Sequence, residues 1–368
     1  MDYRPYLDKF LVCALTPAKW LYGLGAVFHN WLYDANFRKQ ESFEVPVISV
    51  GNITVGGTGK TPHVEYIVNE LKERYNIAVL SRGYKRKTKG FVLASPLSTP
   101  DQIGDEPYQI YRKFGDRIKV AVAKNRKKGI EKVLKMFPET ELVILDDAYQ
   151  YRSVKPLISI LLLDYHRPID KDTLLPLGRL REPHHATERA DMIIVTKCPA
   201  MMTPIEFRTY SKGVKCLKFQ KLFFSSIAFK GLLPVFPDYC SGNMSLSNLT
   251  EQDSVLLVTG IAHPRSFVTY FKKFPFRVRV MRFPDHHDFS RNDLERMKIY
   301  FSQMKGKRKI IVTTEKDSVR LLHNAYFPHK LKPYLYYLPI SINMHTGIDG
   351  EILEEQLENA IRLRHLNQ

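Results

Sequence analysis

One stretch of the chain, Val47-Ile-Ser-Val-Gly-Asn-Ile-Thr-Val-Gly-Gly-Thr-Gly-Lys-Thr61, decides the fold that the sequence predicts. It has the pattern of a buried strand, a glycine-rich loop and the start of a helix. Glycines let backbone N–H groups point into such a loop, and the N-terminus of a helix favours anions. Lys60 can reach the β- and γ-phosphates of a nucleotide, and the Thr61 hydroxyl can ligate Mg²⁺. The stretch therefore predicts a nucleotide-binding loop; a purely structural glycine-rich turn is the alternative.

The loop departs from the general form G-x-x-x-x-G-K-[ST] at one position. Thr54 stands where that form has its first glycine, although Gly51, Gly56 and Gly57 supply flexibility nearby. Because strand, loop and helix still follow in the required order, nucleotide binding remains the preferred interpretation. The residues predicted to hold the nucleotide are Thr54, Val55, Gly56, Gly57, Thr58, Gly59, Lys60 and Thr61.

The composition indicates a globular protein with polyanionic partners. The 368 residues allow a large core and two domains, and the hydrophobic fraction of 44% argues against wholesale disorder. Lys and Arg number 56 against 38 Asp and Glu, which gives a formal net charge of +18. Such a surplus indicates nucleic acid, an anionic membrane surface or a phosphorylated substrate, and does not choose among them.

The four cysteines are scattered along the chain without C-x-x-C spacing. This distribution argues against a zinc site and against a disulfide framework, and it suits a reducing cytoplasm. We expect no cleavable signal peptide, because no small-residue cleavage site follows a charged N-terminal region.

The N-terminal run Phe10–Tyr33 is rich in aromatic and aliphatic residues and contains both tryptophans, Trp20 and Trp31. Pro17 and Lys19 interrupt it, which argues against a membrane-spanning helix. A helix at the membrane interface fits better, with aromatic side chains at headgroup level and basic residues against anionic lipid. A core helix packed on the first domain is the alternative. The flanking basic residues are Arg4, Lys9, Arg38 and Lys39.

The first half of the chain alternates apolar strand-like runs with helical stretches, which is typical of a parallel α/β sheet. Two runs without polar alternation, Leu142–Leu145 and Ile158–Leu163, predict central strands covered on both faces. A helix is predicted around Pro62–Tyr75, after the loop. The predicted strands are Pro46–Val50, Ile77–Ser81, Ile118–Ala123, Glu141–Leu145, Leu157–Asp164 and Met192–Lys197.

The pattern changes near residue 214, where Val214–Phe224 and Ser226–Leu233 look rich in β-structure. A second α/β unit is predicted from Ser254, with strands at Arg277–Arg282, Lys309–Thr314 and Tyr334–Pro339 and helices from Ser290 and over Glu351–Leu363. We therefore predict a P-loop NTPase-like parallel sheet domain and a smaller α/β domain joined by a β-rich linker. The predicted boundaries are 1–33 for the membrane-interface segment, 34–213 for the P-loop domain, 214–248 for the linker and 249–368 for the C-terminal domain with its final helix.

Two pairs of acidic residues follow predicted elements. Asp146-Asp147 ends a buried strand beside the phosphate loop, where a nucleotide-bound Mg²⁺ needs carboxylate ligands or a water-mediated anchor; a solvated turn is the alternative. Gly104-Asp105-Glu106-Pro107 marks a turn into a helix. A carboxylate of this second pair is a candidate to accept the hydroxyl proton in phosphoryl transfer to an alcohol. Helix capping is the competing explanation.

Basic and histidine-rich runs also follow predicted strands. Arg82–Lys89 packs five cations into eight residues, and its position at the carboxyl edge of the sheet favours an anion-facing loop over a solvated basic loop. Asn125-Arg126 and Arg179–Glu182 could join the same edge. Phe283–Phe289 is the densest His/Asp cluster; it could bind a metal, orient a carboxylate through a histidine or form a structural loop.

Several short motifs follow one another along the chain in a fixed order: Ser49–Asn52, Gly56–Pro62, Leu80–Tyr84, Gly104–Pro107, Asp146–Arg152, Leu174–Pro176, Gly178–Pro183, Gly260–Pro264, Asp285-His286 and Thr314–Asp317. In that order they resemble the tetraacyldisaccharide 4′-kinase family. The resemblance covers nearly the whole chain. Phosphate loops recur in many proteins, but the ordered set is highly specific.

The resemblance implies an ATP-dependent lipid kinase of lipid A biosynthesis that uses ATP and Mg²⁺. It would phosphorylate the 4′-hydroxyl of a tetraacylated glucosamine disaccharide 1-phosphate, as a peripheral or monotopic protein at the cytoplasmic face of the bacterial inner membrane. The implied partners are this lipid and an anionic membrane surface; neither nucleic acid nor an obligate protein partner is expected. The alternative is a nucleotide-switched P-loop ATPase or GTPase that binds nucleic acid or a protein through its basic face, although the sequence has no N-K-x-D-like run for guanine recognition.

The resemblance also implies roles for individual residues. Asp105 would be the base for the 4′-hydroxyl, and His286 its partner, either protonated to orient the carboxylate or neutral to receive the proton onward. Lys60 would stabilise charge on the transferring phosphoryl group. Tyr151 stands where the family usually has a histidine, so no role of that histidine is carried over. The implied magnesium site comprises Thr61, Glu106, Asp146, Asp147 and Glu182, and the implied substrate or phosphate contacts are Arg82, Tyr84, Asn125, Arg126, Gln150 and Arg181.

Overall fold

A computed structural model describes residues 6–240, 242–262, 264–345 and 350–366 of the chain. Arg4 and His263, which belong to runs discussed above, lie outside the described residues, and so does the side chain of Lys9. The strands are Val47–Gly51 (β1), Ile77–Ser81 (β2), Val92–Leu93 (β3), Lys119–Val122 (β4), Leu142–Asp146 (β5), Ile158–Asp164 (β6), Met192–Cys198 (β7), Lys221–Phe229 (β8), Leu233–Pro234 (β9), Ser254–Thr259 (β10), Arg277–Arg282 (β11), Lys309–Thr314 (β12), Leu335–Leu338 (β13) and Ile340–His345 (β14). The helices are Tyr6–Asp34 (α1), Lys60–Leu71 (α2), Pro100–Ile103 (α3), Asp105–Phe114 (α4), Arg126–Met136 (α5), Pro204–Val214 (α6), Arg265–Phe271 (α7), Arg291–Ser302 (α8), Glu315–Leu322 (α9) and Leu353–Leu366 (α10).

The chain divides into two compact units. Within the described residues, the larger unit draws on the chain up to Arg82, on Arg117–Ile227 and on the chain from Ile342 onward. The smaller unit combines Gly83–Asp116 with Ala228–Ser341. The boundaries of these compact units differ from the predicted domain boundaries 34–213, 214–248 and 249–368. The predicted domains therefore stay a prediction.

The larger unit is built on a parallel sheet. Its strands lie in the order β14-β8-β7-β6-β1-β5-β2-β4, and the pairings from β8 through to β4 are all parallel. The strands β1, β2 and β5 are buried along their whole length, which explains why their sequences lack polar alternation. The register places Val50 of β1 beside Asp146 of β5. Because carboxyl ends of parallel strands share one edge, the phosphate loop after β1 and Asp146 lie at the same edge of the sheet.

The strands predicted for the larger unit are confirmed, with small shifts at their ends. The structure differs from the sequence prediction over residues 214–233. Val214 ends helix α6, and Lys221–Phe229 is one continuous strand that pairs with β7 rather than two separate segments. Helix α6 was not predicted, although its start carries a capping box between Thr203 and Glu206 that the sequence displays.

The smaller unit holds a second sheet with a core on each face. Its strands lie in the order β11-β10-β12-β13-β9, and only β9 runs antiparallel to its neighbour. Successive residues of a strand point to opposite faces. Accordingly Leu256 packs with Leu294 in one buried cluster, whereas Leu257 packs with Phe271 in the other. The predicted fold class, a P-loop-type parallel α/β sheet with a smaller α/β unit, is confirmed.

Helix α1 is 29 residues long and contains Pro17. Among the residues that the structure describes, no helix combines the length and the apolar character needed to cross a bilayer. Large apolar side chains of α1 are nevertheless exposed, with Trp20 64%, Leu24 65% and Phe28 59% accessible. Because residues four apart lie on one face of a helix, these three side chains form an exposed apolar stripe, which we call the α1 stripe.

Gly51, at the end of β1, lies too close to Tyr149 for a side chain. A Cβ at this position would be 2.7 Å from Cβ of Tyr149 and 2.8 Å from its backbone nitrogen. We therefore expect Gly51→Ala to lower the free energy of unfolding by about 1–3 kcal/mol, the usual cost of overpacking. Urea denaturation followed by circular dichroism measures this change.

Gly213→Ala is the matched control for that substitution. Nothing lies within 4 Å of a Cβ at Gly213, which is part of helix α6, so alanine there should be neutral or slightly stabilising. Equal unfolding midpoints for Gly51→Ala and the unsubstituted protein would contradict the close approach at Tyr149.

Candidate active site

The phosphate loop joins the carboxyl end of β1 to the N-terminus of α2. Lys60 is the first residue of α2, and Gly59 is its N-cap. The φ angles of Gly56 and Gly59 are 107° and 88°, in the region that favours glycine. The first N–H groups of a helix have no intrahelical partner, and the helix dipole adds partial positive charge. The loop is therefore suited to bind phosphate groups.

Side chains and backbone fix the conformation of the loop. Asn52 Nδ2 donates to Thr58 Oγ1 at 2.9 Å, and both side chains are buried. Gln150 Nε2 donates to the carbonyl oxygen of Asn52 at 2.7 Å. The backbone nitrogen of Val55 donates to the carbonyl oxygen of Arg179 at 2.8 Å. Gln150, predicted as a substrate contact, thus holds the loop in this structure.

Lys197 was not predicted as a site residue, yet it reaches the loop. Its ammonium group donates to the carbonyl oxygen of Gly57 and lies 2.6 Å from Oδ2 of Asp164. Burial alone would raise the pKa of the Asp164 carboxyl, but the charge and hydrogen bond of Lys197 hold that pKa below its ordinary value. Asp164 and Lys197 end two of the predicted strands, and their position at the carboxyl edge of the sheet is the signal that could have identified them.

His63 connects the loop to strand β8. The residue is 1% exposed, its Nδ1 lies 2.7 Å from the carbonyl oxygen of Gly59, and its Nε2 lies 2.8 Å from Oγ of Ser225. A carbonyl oxygen can only accept, so Nδ1 carries the proton and Nε2 accepts from the Ser225 hydroxyl. Burial lowers the pKa of His63 to about 4, so the imidazole is neutral near pH 7. Sequence analysis missed this residue because its partner is far along the chain.

The adjacent acids at the end of β5 have different surroundings. Asp146 is fully buried and accepts from Oγ of Ser81 at 3.2 Å. Asp147 has a φ of 49°, and its Oδ1 lies 3.5 Å from Nζ of Lys60 and 3.8 Å from Nη1 of Arg181. The structure therefore brings three predicted site residues, Lys60, Asp147 and Arg181, into one charged cluster.

Arg126 lies behind this acidic pair rather than on an open surface. It is buried, and its Nη2 lies 3.4 Å and 3.5 Å from the carbonyl oxygens of Asp146 and Asp147. Asn125 Oδ1 accepts from the hydroxyl of Tyr151 at 3.0 Å, and the Arg126 guanidinium lies over the Tyr151 ring at 5.7 Å. In this structure Asn125 and Arg126, both predicted as substrate or phosphate contacts, support the turn that carries the acids.

Glu182 is buried beside helix α1. Its Oε2 accepts from Nδ2 of Asn30 at 2.8 Å and lies 2.8 Å from Nη2 of Arg189. The Tyr22 hydroxyl donates to the carbonyl oxygen of Arg181 at 3.0 Å. Helix α1 is therefore hydrogen-bonded to the segment that carries Arg181 and Glu182, and a cleft of about 370 Å³ lies between them.

The larger unit offers buried oxygen atoms of the kinds that bind magnesium. Asp147 Oδ1 and Glu182 Oε1 are buried and, among the described residues, accept no hydrogen bond. Thr61, also buried, follows Lys60 in α2. Carboxylate and hydroxyl oxygens are the ligands that Mg²⁺ prefers. In the described part of the chain no group of three or more His, Cys, Asp or Glu side chains is placed to hold a metal ion, so phosphate oxygens or water would have to complete this set.

The remaining catalytic candidates lie in the smaller unit. Asp105 is the first residue of α4 and is 4% exposed. Its Oδ2 accepts from Nδ1 of His286 at 3.0 Å and from Nε and Nη2 of Arg320 at 2.9 Å and 2.8 Å. Among the described residues all hydrogen bonds to this carboxylate end on Oδ2. Oδ1 therefore keeps its capacity to accept from a further donor.

The environment of Asp105 keeps its carboxylate ionised. Burial alone would raise the pKa of Asp105, but hydrogen bonds from His286 and Arg320 and the charge of Arg320 hold that pKa below its ordinary value. The N-terminus of α4 adds favourable partial charge. The side chain is therefore a ready acceptor for a hydrogen bond and a weak base.

A second buried carboxylate fixes the loop that carries His286. Asp317 Oδ2 accepts from the backbone nitrogen of Gly260 at 2.8 Å and from Oγ1 of Thr314 at 2.7 Å. The backbone nitrogen of His286 in turn donates to the carbonyl oxygen of Gly260 at 3.2 Å. Tyr84 packs edge-on against the His286 ring at 5.2 Å. Burial raises the pKa of Asp317. The two hydrogen bonds that its Oδ2 accepts hold Gly260 and Thr314 in place inside the unit.

Two cationic residues of α9 complete this cluster and were not predicted. Arg320 pairs with Asp105, and Lys316 Nζ lies 2.8 Å from Nε2 of His286 and 3.0 Å from Oδ1 of Asp285. The two residues are four apart, so they lie on one face of the helix. Lys316 lies in the motif Thr314–Asp317, and Arg320 follows one helical turn later; that spacing is the signal that could have identified them.

The His/Asp cluster of residues 283–289 divides between two roles. His286 contacts Asp105, whereas Nε2 of His287 lies 2.9 Å from Oδ2 of Asp293. Asp293 also forms a capping box with Ser290 at the start of α8, which confirms the predicted helix start. These contacts favour the orienting role of a histidine over a metal site.

Three further predicted residues are more open to solvent. Arg82 is exposed directly after β2 in the larger unit. Tyr84, in the smaller unit, is 56% exposed. Glu106 is half-buried next to Asp105 in α4, so its predicted part in the magnesium site remains a prediction.

The buried His63 predicts a pH dependence of stability. The pKa of His63 in the folded state, about 4, lies below the usual value of 6.5. The contribution of His63 to the free energy of unfolding is therefore complete above pH 6.5 and is lost as the pH falls towards 4. Between pH 6.5 and pH 4 we expect protonation of His63 to lower the free energy of unfolding by up to about 3 kcal/mol. Urea denaturation at several pH values measures the loss.

The variant His63→Gln isolates this contribution from that of other acid-titrating groups. It keeps a side chain that donates and accepts but does not titrate, so its stability should fall less steeply between pH 6.5 and 4. Parallel stability curves for the two proteins would show that His63 is not buried in its neutral form.

Comparison with known proteins identifies relatives of the whole chain. A sequence profile described as tetraacyldisaccharide-1-P 4′-kinase matches residues 11–362. The chain is 47% identical over 337 residues to the tetraacyldisaccharide 4′-kinase of Bacteroides thetaiotaomicron, covering 90% of this chain and 88% of that protein. It is 42% identical over 347 residues to that of Porphyromonas gingivalis, covering 92% of this chain and 94% of that protein.

A solved structure agrees with these sequence relatives. The crystal structure of an "apo" form of LpxK from Aquifex aeolicus in complex with ATP superposes with a TM-score of 0.72 at 30% identity, covering 96% of this chain and 99% of that chain. The matched lengths include both the phosphate loop and the residues around Asp105 and His286. The chain therefore belongs to the tetraacyldisaccharide-1-phosphate 4′-kinase family.

Proposed function

We propose that this chain transfers the γ-phosphoryl group of ATP to the 4′-hydroxyl of a tetraacylated glucosamine disaccharide 1-phosphate, a step of lipid A biosynthesis. Membership of a kinase family supports this function. The observation that carries it is the buried pair of Asp105 and His286, whose hydrogen bonds leave one carboxylate oxygen for a hydroxyl proton. The alternative of a nucleotide-switched ATPase or GTPase is not favoured, because the chain's relatives are kinases.

The phosphate loop supplies the nucleotide site in this proposal. Backbone N–H groups of residues 54–61 bind the phosphates, and Lys60 extends from the helix N-terminus to the β- and γ-phosphates. When bound, Mg²⁺ neutralises charge on these phosphates. Thr61, Asp147 and Glu182 offer the oxygens that would hold it, and the buried Asp146 adds a further carboxylate at the end of β5.

Asp105 is the proposed acceptor of the hydroxyl proton. The 4′-hydroxyl donates to Oδ1, its oxygen forms a bond to the γ-phosphorus, and the bond from that phosphorus to the oxygen of ADP breaks. The proton moves to Oδ1 in the same step. Because the pKa of Asp105 is held low, we expect the proton to move late, when the forming bond has made the hydroxyl acidic.

The substrate contacts divide into two groups. Arg82, Tyr84 and Arg181 are partly or fully open to solvent, and we assign them to the phosphate and sugar groups of the substrates. We assign the others, Asn125, Arg126 and Gln150, to holding the acidic turn and the phosphate loop, because their side chains bond to the protein itself.

Helix α1 is the proposed contact with the membrane. The α1 stripe exposes three large apolar side chains, while Tyr22 and Asn30 attach the helix to the larger unit. An exposed apolar stripe on a strongly basic protein fits binding in the interface of an anionic lipid surface. We therefore place the protein as a peripheral or monotopic protein at the cytoplasmic face of the bacterial inner membrane.

The role of Asp105 is tested by the variant Asp105→Asn, which keeps the shape of the side chain but removes its basicity. We expect turnover to fall by about 100-fold or more, since positioned bases contribute about 10²–10⁴-fold. Affinity for ATP should change by less than about threefold, or about 0.7 kcal/mol. Radiolabelled ATP and the disaccharide lipid, followed by separation of lipid products, give the rate; calorimetry gives the affinity.

Asp238→Asn is the matched control, because Asp238 is an exposed carboxylate of the same unit. It should leave both quantities unchanged. If Asp105→Asn retained activity within about threefold of the unsubstituted protein, under 1 kcal/mol of barrier, Asp105 would not be the base.

The role of the α1 stripe is tested by replacing Trp20, Leu24 and Phe28 together with serine. Loss of their buried apolar area should weaken binding to vesicles of phosphatidylglycerol by at least about tenfold. Co-sedimentation at increasing lipid concentration measures this binding. The purified triple variant should keep its folded circular dichroism spectrum, because these side chains are exposed.

The control variant replaces three exposed apolar side chains elsewhere, Met136, Met201 and Tyr326, with serine. It should bind vesicles as well as the unsubstituted protein. Equal binding by the α1 variant and by this control would refute the assignment of α1 to the membrane.

A further inference from the structure

Three successive carbonyl oxygens of the phosphate loop accept hydrogen bonds from side chains outside the loop. They belong to Gly57, Thr58 and Gly59. The first accepts from the ammonium of Lys197, the second from the hydroxyl of Thr196 at 2.9 Å, and the third from Nδ1 of His63 at 2.7 Å. We call these three donor residues the carbonyl anchors. All of them belong to the larger unit, like the loop itself.

Binding a carbonyl group also fixes the direction of the next amide group. A peptide bond is planar, and in its trans form the C=O of one residue and the N–H of the next point in opposite directions. The carbonyl anchors therefore direct the N–H groups of Thr58, Gly59 and Lys60 away from themselves. Among the residues that the structure describes, these three N–H groups donate no hydrogen bond within the protein. They are available to the oxygen atoms of a phosphate.

The backbone of β7 is irregular where its side chains reach the loop. The register of its pairing with β8 shifts between Val195 and Cys198. Within this stretch Lys197 has a φ of 60°, in a region that residues with a side chain rarely adopt. Such irregularities redirect side chains and recur beside functional sites. The redirected ammonium of Lys197 lies between the loop and Oδ2 of Asp164, at 2.6 Å from the latter.

We propose that Thr196 and Lys197 are positioning residues for nucleotide binding. They hold the phosphate loop, before a nucleotide binds, in the conformation that presents its N–H groups to phosphate. A loop that is already ordered loses less conformational entropy on binding, so the affinity rises without any contact between these side chains and the nucleotide. Asp164 contributes by keeping the ammonium of Lys197 directed at the loop.

Burial separates this role from direct binding of phosphate. Thr196 is 0% exposed, so its hydroxyl has no surface from which to reach a nucleotide. Its distance to the carbonyl oxygen of Leu163 is 3.1 Å, which ties the loop to β6 as well as to β7. The Lys197 side chain is 18% exposed and that of Asp164 is 6% exposed, which limits competition by water for their contact.

Calorimetric titration of the full-length protein with ADP and Mg²⁺ tests the proposal. Lys197→Met removes the donor and keeps the length of the side chain, and Thr196→Val removes the hydroxyl and keeps its shape. Each should weaken ADP binding about tenfold, equivalent to about 1.4 kcal/mol, the size of one hydrogen bond. Lys197→Arg and Thr196→Ser keep a donor and should bind ADP within about threefold of the unsubstituted protein.

Asp164→Asn distinguishes positioning from direct contact with phosphate. It leaves the charge of Lys197 in place but loosens its hold on the loop, so positioning predicts weaker ADP binding. If the ammonium bound phosphate itself, releasing it from Asp164 would leave ADP binding unchanged or make it tighter, and that result would overturn the proposal. This variant also keeps the test intact if Thr196→Val, which alters a buried hydroxyl, fails to fold.

Lys212→Met is the control for loss of positive charge, because Lys212 is an exposed lysine of α6 in the same unit. It should bind ADP as the unsubstituted protein does. An ADP affinity of folded Lys197→Met within about twofold of the unsubstituted protein would refute the positioning role and leave only a structural bond between sheet and loop. Equal weakening in Lys212→Met and Lys197→Met would assign the effect to net charge and reject the proposal.

Kinetics separate this inference from the proposed function, on which its consequence for turnover rests. In Lys197→Met we expect kcat/KM for ATP to fall about tenfold, with most of the fall in KM, because the residue acts on nucleotide binding. A fall confined to kcat would contradict this. A protein that binds ADP with the expected differences among variants but does not phosphorylate the disaccharide lipid would reject the function and leave the positioning role standing.

Discussion

Burial of ionised carboxylates is the constraint that organises both compact units. Removing such a group from water costs several kcal/mol unless donors replace the lost hydration. The cost of burying the Asp105 carboxylate is offset by His286 and Arg320, and that of burying Asp164 is offset by the ammonium of Lys197. Each compensating group comes from a distant part of the chain. The acids therefore join strands, helices and loops that local sequence patterns do not connect.

His63 and His286 are each hydrogen-bonded at both ring nitrogens. The carbonyl oxygen of Gly59 determines the tautomer of His63, because a carbonyl oxygen can only accept. The orientation of each imidazole ring is therefore set by partners on both of its sides.

The sequence predicted those parts of the fold that depend on local features, such as the burial pattern of a strand or the capping residues of a helix. The buried strands β1, β2 and β5 lack polar alternation because both faces are covered, and the start of α8 follows from a capping box at Ser290. The prediction differed from the structure where tertiary contacts decide. The continuous strand β8 exists because it pairs with β7, and no pattern within residues 214–233 reveals that pairing.

The site was predictable to the extent that its residues sit in motifs. Lys60 and the acids at the end of β5 could be placed from strand ends and the glycine-rich loop, and the family resemblance joined Asp105 to His286. Lys197, Lys316 and Arg320 were missed, because strand ends and helical spacing mark their positions but do not reveal the groups with which they pair. Their partners are fixed only when the sheets assemble, as the separation of 215 residues between Arg320 and Asp105 illustrates.

In the proposed reaction, the one-sided hydrogen bonding of Asp105 bears on which hydroxyl group of the sugar is phosphorylated. A sugar ring presents several hydroxyl groups of similar acidity, so a base that could accept from many directions would not discriminate among them. With Oδ2 committed to His286 and Arg320, the carboxylate offers a single oxygen whose lone pairs point in fixed directions. One hydroxyl group of the ring is then selected over its neighbours by the direction from which it approaches Oδ1 of Asp105, and not by its intrinsic reactivity.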